Sequence, residues 1–302
     1  MSFITDEKQP HTHLEVDPYD HAGGMSGDSD TDVPPAYDDA FSSAPSTVQL
    51  QIHAVGYDYG QALTGNTLEN IAVNRVDSTG ELVYTSVRLS KSSNSCALVR
   101  GQDTSRSLIS TIYRWGPGRP PRMRIFGGST NPGVAVSVDD AINNDHLQCE
   151  LVEVKSRNMF SRTQRFATSF GTFEWRYADR AERKQPENNA DSLLVCERTD
   201  GGAGGAGGAG GAGGKSGKRG VQVAQLVRNE AMRTPGTTRW MGGNGGRLVL
   251  DLSGWAAAAP DGGKGAAVVT PQDVEAFLVA SCICMLKREA DRFKDSAIAS
   301  VV

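Results

Sequence analysis

TPQDVEAFLVASCICMLKREADRFK, residues 270–294, is the stretch on which the fold turns. It opens as a helix should. Thr270 is a capping residue type, Pro271 suits the first helical position, and Asp273 favours the positive end of the helix dipole. From Ala276 to Leu286 there is no charged residue, and the apolar side chains lie all round the helical wheel rather than on one stripe. A helix apolar on every face is buried on every side. A bilayer does not fit, because the uncharged core is far shorter than the ~20 residues a span needs. The helix, expected over 271–293, must then be enclosed by protein. Lys287, Arg288, Arg292 and Lys294 would emerge at the far end, where cations suit a helix C-terminus.

What encloses it is legible upstream. TVQLQIHAV, from Thr47, alternates with Val48, Leu50 and Ile52 on one side, the period of a half-buried strand. The runs NIAVNRV, LVYTSVRL, SCALVRG, SLISTIYRW, RMRIF, HLQCELVEV, QRFATSF, TFEWRYA, SLLVCER, VQVAQLVRN and RLVLDL follow, each bounded by Gly, Pro, Asn, Asp or Ser. Little between them reads as helix. Short strands at regular spacing make a sandwich or a barrel. One helix apolar all round favours a mainly β fold: a closed antiparallel barrel of about twelve strands around the buried C-terminal helix. Closure also removes exposed strand edges. An open β-sandwich with the helix packed on it is the alternative.

Residues 1–46 are of another kind. Residues 1–45 hold ten acids and one base, Lys8, a net −9. Large apolar residues are sparse, so disorder is expected. The remaining 30 Lys and Arg face 25 Asp and Glu, leaving the body at +5. An acidic tail on a basic body can shield it from anionic partners. The N-terminus has no apolar core, no N-x-[ST] sequon occurs, and the five cysteines include no C-x-x-C pair. Reduced thiols in a cytoplasmic protein are expected, with the nucleus left open. Residues 47–294 make the barrel domain, 201–220 a glycine-rich loop within it, and 295–302 a short tail.

The arrangement resembles the tubby C-terminal-like superfamily, which includes phospholipid scramblases and LURP-one-related proteins. SLISTIYRWGPGRPPRMRIF (107–126), RFATSFGTFEWRYADR (165–180) and VEAFLVASCICMLKREADR (274–292) are similar to filamentous-fungal proteins of this type. The resemblance implies a barrel around a hydrophobic helix. Tubby proteins bind phosphoinositides through basic residues on the barrel surface, which implies the same kind of partner here without fixing which residues meet it.

Several motifs bear on function. GAGGAGGKS (208–216) contains the letters of a phosphate-binding loop at 209–216. That loop works only where a helix begins at its Lys and Ser, aiming backbone N–H groups at the phosphates. Here Gly217 and Gly220 break any helix and a strand-like run follows, so the match is read as the end of a GGA repeat. Pro34, Pro35 and Tyr37 form P-P-x-Y, the ligand of WW domains, whose prolines pre-order a polyproline II helix. The implied partner is a Nedd4-type ubiquitin ligase; a chance match in a Pro-containing tail is the plain alternative.

Basic residues cluster at Arg114, Arg119, Arg122 and Arg124, and again at Lys155, Arg157, Arg162 and Arg165. A third group, Arg176, Arg180, Arg183 and Lys184, follows TFEW. Arg122 and Arg124 should share a face, since alternate strand residues do. The first two groups are the candidate anionic-lipid site, at about 1 kcal/mol per charge near a membrane; a solvated outer wall is the alternative. No catalytic constellation, metal set, cofactor motif or nucleic-acid module is recognisable, and His53 and His146 are isolated. Cys282 and Cys284 stand about 200° apart on the helix, as small core side chains. The sequence therefore points to a non-enzymatic, membrane-associating adaptor. An enzyme or lipid-transfer protein using the barrel mouth, or a structural interaction domain, stays open.

Overall fold

A computed structural model describes residues 47–64, 69–91, 93–114, 119–126, 135–157, 161–200, 220–256 and 269–300. The PPAY motif and the glycine run 201–219 lie outside these residues. Thirteen strands form one antiparallel sheet. They are β1 (Thr47–His53), β2 (Ile71–Arg75), β3 (Leu82–Arg88), β4 (Cys96–Arg100), β5 (Ser107–Ile112), β6 (Arg122–Ile125), β7 (Glu150–Glu153), β8 (Lys155–Ser156), β9 (Gln164–Thr168), β10 (Gly171–Tyr177), β11 (Ser192–Arg198), β12 (Val221–Arg228) and β13 (Arg247–Asp251).

Apart from β7 and β8, strands consecutive in sequence lie side by side, and β1 pairs with β13. The sheet's two ends, β7 and β8, are consecutive in the chain and meet at Val154. They are one bent strand: its first half pairs with β6 (Arg122 opposite Glu153) and its second half with β9 (Lys155 opposite Arg165). Where β7 and β9 are not laddered, the Glu150 carboxylate bridges them, accepting from Ser169 N and Ser169 Oγ at 2.6 Å each. The barrel is thus nearly closed, an up-and-down ring. An open sandwich is excluded by the β1–β13 pairing and this seam. Counting β7 and β8 together, the twelve strand-like runs are the twelve staves.

Alternation sets what faces inward. Leu50 and Ile52 of β1, Met123 and Ile125 of β6, Phe173 and Trp175 of β10, and Leu248 and Leu250 of β13 all reach one core cluster. Its centre is α5 (Pro271–Ala299), buried without a break from Val274 to Leu286. The Thr270–Asp273 capping box starts α5, with Thr270 Oγ1 accepting from Asp273 N at 3.2 Å. Phe277 is held by Phe166, Phe170 and Phe173 at ring separations of 6.0, 5.8 and 5.1 Å. Two inward polar groups find partners on α5. Tyr84 donates to Glu275 (3.0 Å), and Trp175 Nε1 donates to Ser281 Oγ (2.9 Å).

Four short helices were not foreseen: α1 (Tyr59–Thr64), α2 (Val138–Asn143), α3 (Arg180–Arg183) and α4 (Ser253–Ala256). Two of them explain strands apolar on both faces. The outer faces of β4 (Ala97, Val99) and β11 (Leu193, Val195) lie in satellite clusters; α2 supplies Val138 and Ala141 to the first, and Ala178 and Ala190 flank α3 in the second. The helix α5 runs six residues past the expected end at 293. Ala297 is buried there, and Tyr59 Oη of α1 hydrogen-bonds Ser300 Oγ at 2.8 Å, so α1 supports the extra turns. The glycines of Met241–Gly246 let a loop close on the preceding turns of α5, at Leu286, Ala290 and Phe293. A Cβ on Gly243, whose φ is +80°, would lie 2.6 Å from the Leu286 carbonyl oxygen.

Candidate functional site

The expected lipid-binding residues lie on the outer wall around the seam, with one exception. Met123 and Ile125 point into the core, so Arg122 and Arg124 do share the outer face. They do different work. Arg124 is nearly buried; its Nη1 donates to Asn144 O (3.0 Å) and Ala141 O (3.4 Å), and its Nη2 meets Asp145. It satisfies the carbonyls at the end of α2, which removes it from the candidate set. Arg122, Arg114 and Lys155 share the single carboxylate of Glu153, at 3.3, 3.9 and 3.9 Å. Arg114 also donates twice to Pro120 O. Arg157 lies 3.7 Å from Glu174, and Arg165 stands opposite Glu174 across β9 and β10. Arg119 is exposed. This wall is convex and interleaved with acid.

Arg162 is the exception. It is exposed, its guanidinium 5.8 Å from the Tyr177 ring centre, at the mouth where α5 leaves the barrel. Three adjoining clefts there, of about 400, 320 and 310 Å³, share walls through Arg162, Tyr177, Arg183, Arg239 and Trp240. Among the described residues, seven cations and two carboxylates line them, a net +5. Both carboxylates are engaged. Glu289 takes Arg228 at 2.6 and 3.0 Å and Tyr177 Oη at 3.1 Å, and Asp191 takes Arg233. Arg228 is almost wholly enclosed and forms the floor, with Ser192 Oγ (2.7 Å) and Asn244 as its other partners. Burial, then Glu289, raises the Tyr177 hydroxyl well above its usual range.

The other cations differ. Among the described residues, Arg162, Lys184, Arg239 and Arg292 form no ion pair. Burial, with Arg288 and Arg162 close by, pulls the Arg292 guanidinium below its ordinary value, so positive charge is crowded here. The Nε atoms of Arg228 and Arg233 are buried without a hydrogen-bond partner among the described residues. Arg239 stacks over Trp240 at 4.4 Å, and the Trp240 side chain is 72% exposed. A concave, net-cationic surface focuses field on an incoming anion more than a convex wall does. Lys287 and Arg288 stand at this mouth but are directed aside: Lys287 donates to Asn94 O (3.1 Å) and Arg288 reaches Ser156 Oγ (3.5 Å).

The glycine run is flanked by ladder partners, since Arg198 of β11 pairs with Val221 of β12. A strand therefore precedes it and another begins five residues after Ser216, at Val221, an antiparallel hairpin rather than a strand-to-helix turn. The thiols offer little nucleophilicity. Burial pushes Cys282 and Cys196 well up, and Cys284 up to about 11. Among the described residues, no three His, Cys, Asp or Glu side chains gather to hold a metal, and no helix is long and apolar enough to cross a membrane.

Arg233, Arg239 and Trp240 were missed in the sequence. Their segment, RTPGTTRWMGGNGG (233–246), reads only as a turn-rich loop; the one signal is a Trp beside an Arg where no core alternation calls for it. No protein-family model, curated protein or solved structure matches this chain.

Proposed function

We propose that the protein is a non-enzymatic, membrane-associating adaptor of the tubby-like type, whose barrel binds anionic phospholipid, phosphoinositide included, through the cleft at the exit mouth of α5. The observation that carries this reading is the cleft at +5 among the described residues, whose two described carboxylates are already paired, leaving Arg162, Lys184, Arg239 and Arg292 for an outside anion. Four such cations are worth roughly 4 kcal/mol at an anionic surface, at about 1 kcal/mol each. The interaction should weaken with salt. Flotation with phosphatidylcholine vesicles, with and without phosphatidylserine or a polyphosphoinositide, tests it: binding only to the anionic vesicles, lost in high salt, is expected. Salt-insensitive binding or none would sink the reading.

In the same proposal Pro34, Pro35 and Tyr37 recruit a WW-domain ubiquitin ligase. Tyr37→Ala should abolish recovery of a Nedd4-type WW domain in a pull-down, and equal recovery would remove that half.

A further inference from the structure

We infer that the exit mouth also enters the membrane interface, with Trp240, Tyr59, Leu63 and Ile298 as an apolar collar that beds among the lipids beneath the headgroups. This rests on the anionic-membrane reading and adds a depth and an orientation to it. The four side chains are 72, 50, 46 and 44% exposed, among the largest apolar exposures on the described surface. They belong to segments far apart in sequence, yet all are moored to the end of one helix. Tyr59 and Leu63 sit on α1, tied to α5 by the Tyr59–Ser300 hydrogen bond. Tyr57 N donates to Gly242 O (2.9 Å) and Gly242 N to Tyr57 O (3.0 Å), which fixes the Trp240 loop beside α1. Gly242 in turn abuts Phe293 so closely that a Cβ would lie 2.4 Å from it. From Phe293 to Ser300 is only about 10 Å along the axis.

Exposed apolar groups gathered at one end and rimmed by polar ones mark a docking surface. Charge selects the occupant. The clefts that Trp240 lines carry Arg162, Lys184, Arg239 and Arg292. The acids of this end are Asp58, Asp295, Glu69, which accepts from Val55 N at 2.8 Å, and Asp291, which accepts from Asn94 Nδ2 at 2.8 Å. Asp58 is occupied in capping α1, accepting from Gln61 N at 2.7 Å. Apolar tips behind a cationic ring match an anionic bilayer, whose charge lies outside its hydrocarbon. Trp prefers that boundary, its ring in the apolar layer and its N–H towards water. The Arg239 guanidinium, stacked on the indole, would then stand at phosphate depth. The axis of α5 points at the membrane and its C-terminus touches it.

Trp240 supplies its own probe. The full chain is titrated with phosphatidylcholine–phosphatidylserine vesicles, plain or brominated in the acyl chains, alongside Trp240→Phe and Trp240→Ala. Of the other three tryptophans, Trp175 and Trp255 are buried and Trp115 lies outside the described residues, so the difference between wild type and Trp240→Phe isolates the signal of Trp240. The expected result is a blue shift and bromine quenching that Trp240→Phe loses, with about tenfold weaker binding for Trp240→Ala and a further loss on Leu63→Ser. Salt-sensitive binding with no such quenching and an unaffected Trp240→Ala overturns the collar and leaves the electrostatic reading standing. A collar that instead self-associates, seen as a dimer that Trp240→Ala dissolves without quenching, also overturns it. Failure to bind any vesicle overturns both.

Discussion

Arginines crowd two regions of this molecule, the outer wall at the seam and the cleft at the exit mouth, and the two regions answer them differently. On the wall, Glu153 serves Arg114, Arg122 and Lys155 together, Glu174 serves Arg157, and Arg124 closes the end of α2. These cations hold neighbouring strands and a covering helix in place. In the cleft the order is reversed. The carboxylates Glu289 and Asp191 are engaged by Arg228 and Arg233 at the floor, and Arg162, Lys184, Arg239 and Arg292 above them form no ion pair among the described residues. Counting arginines along the chain cannot separate these cases. What separates them is which acids the neighbouring strands deliver, and whether the surface is convex or concave.

The comparison can be broken first at the floor of the cleft. Arg228→Ala would leave Glu289 in a largely enclosed site without its bidentate partner, and should cost about 3–5 kcal/mol. Urea denaturation reads this directly; a loss below about 1 kcal/mol would mean that the floor is not a buried pair. Next is Arg176, which bridges Glu182 and Glu197 at 2.8 and 2.6 Å between β10, α3 and β11. Its partial burial puts Arg176→Ala at roughly 1–3 kcal/mol of stability, with no specific effect on vesicle binding. A third test concerns the other side of the mouth, where burial raises the carboxyls of Glu69 and Asp291. The folded state holds those protons to higher pH than the unfolded chain, whose values lie near 4. Their contribution is therefore full below about pH 4 and is lost as pH rises through the folded values. Glu69→Gln with Asp291→Asn should flatten the decline in stability from pH 4 to 7, and an unchanged slope would contradict the burial. The smallest effect is expected from deleting 201–214. Loop closure depends only weakly on length, so stability should move by less than about 1 kcal/mol, and vesicle binding should persist.

The fold was legible because its signals are periodic. TVQLQIHAV and TFEWRYA alternate as staves must, and VEAFLVASCICML has no polar stripe because it touches protein on every side. The helices α2 and α3 were not legible, since four to six residues cannot display a helical period. Their traces were chemical: Ser137 with Asp140, and Asp179 with Glu182 in a capping box. The site was less legible still. Arg162, Arg183, Arg239 and Arg292 come from four segments spread over 130 positions, and only closure of the ring brings them to one mouth. Grouping by sequence proximity favoured Arg122 and Arg124 and could not show that Glu153 and the α2 carbonyls would meet them.

The most direct test sets the two regions against each other in one binding assay. Apparent affinities for phosphatidylserine-containing vesicles are measured for the wild type, for Arg239→Glu with Arg292→Glu, and for Lys155→Glu with Arg165→Glu, all with unchanged unfolding midpoints. Reversing two cleft charges removes more than about 2 kcal/mol of surface attraction, so a loss of about 30-fold or more is expected there. The wall pair should lose less than about threefold. An equal or larger loss in the wall variant would contradict the account and move the anionic surface to the seam.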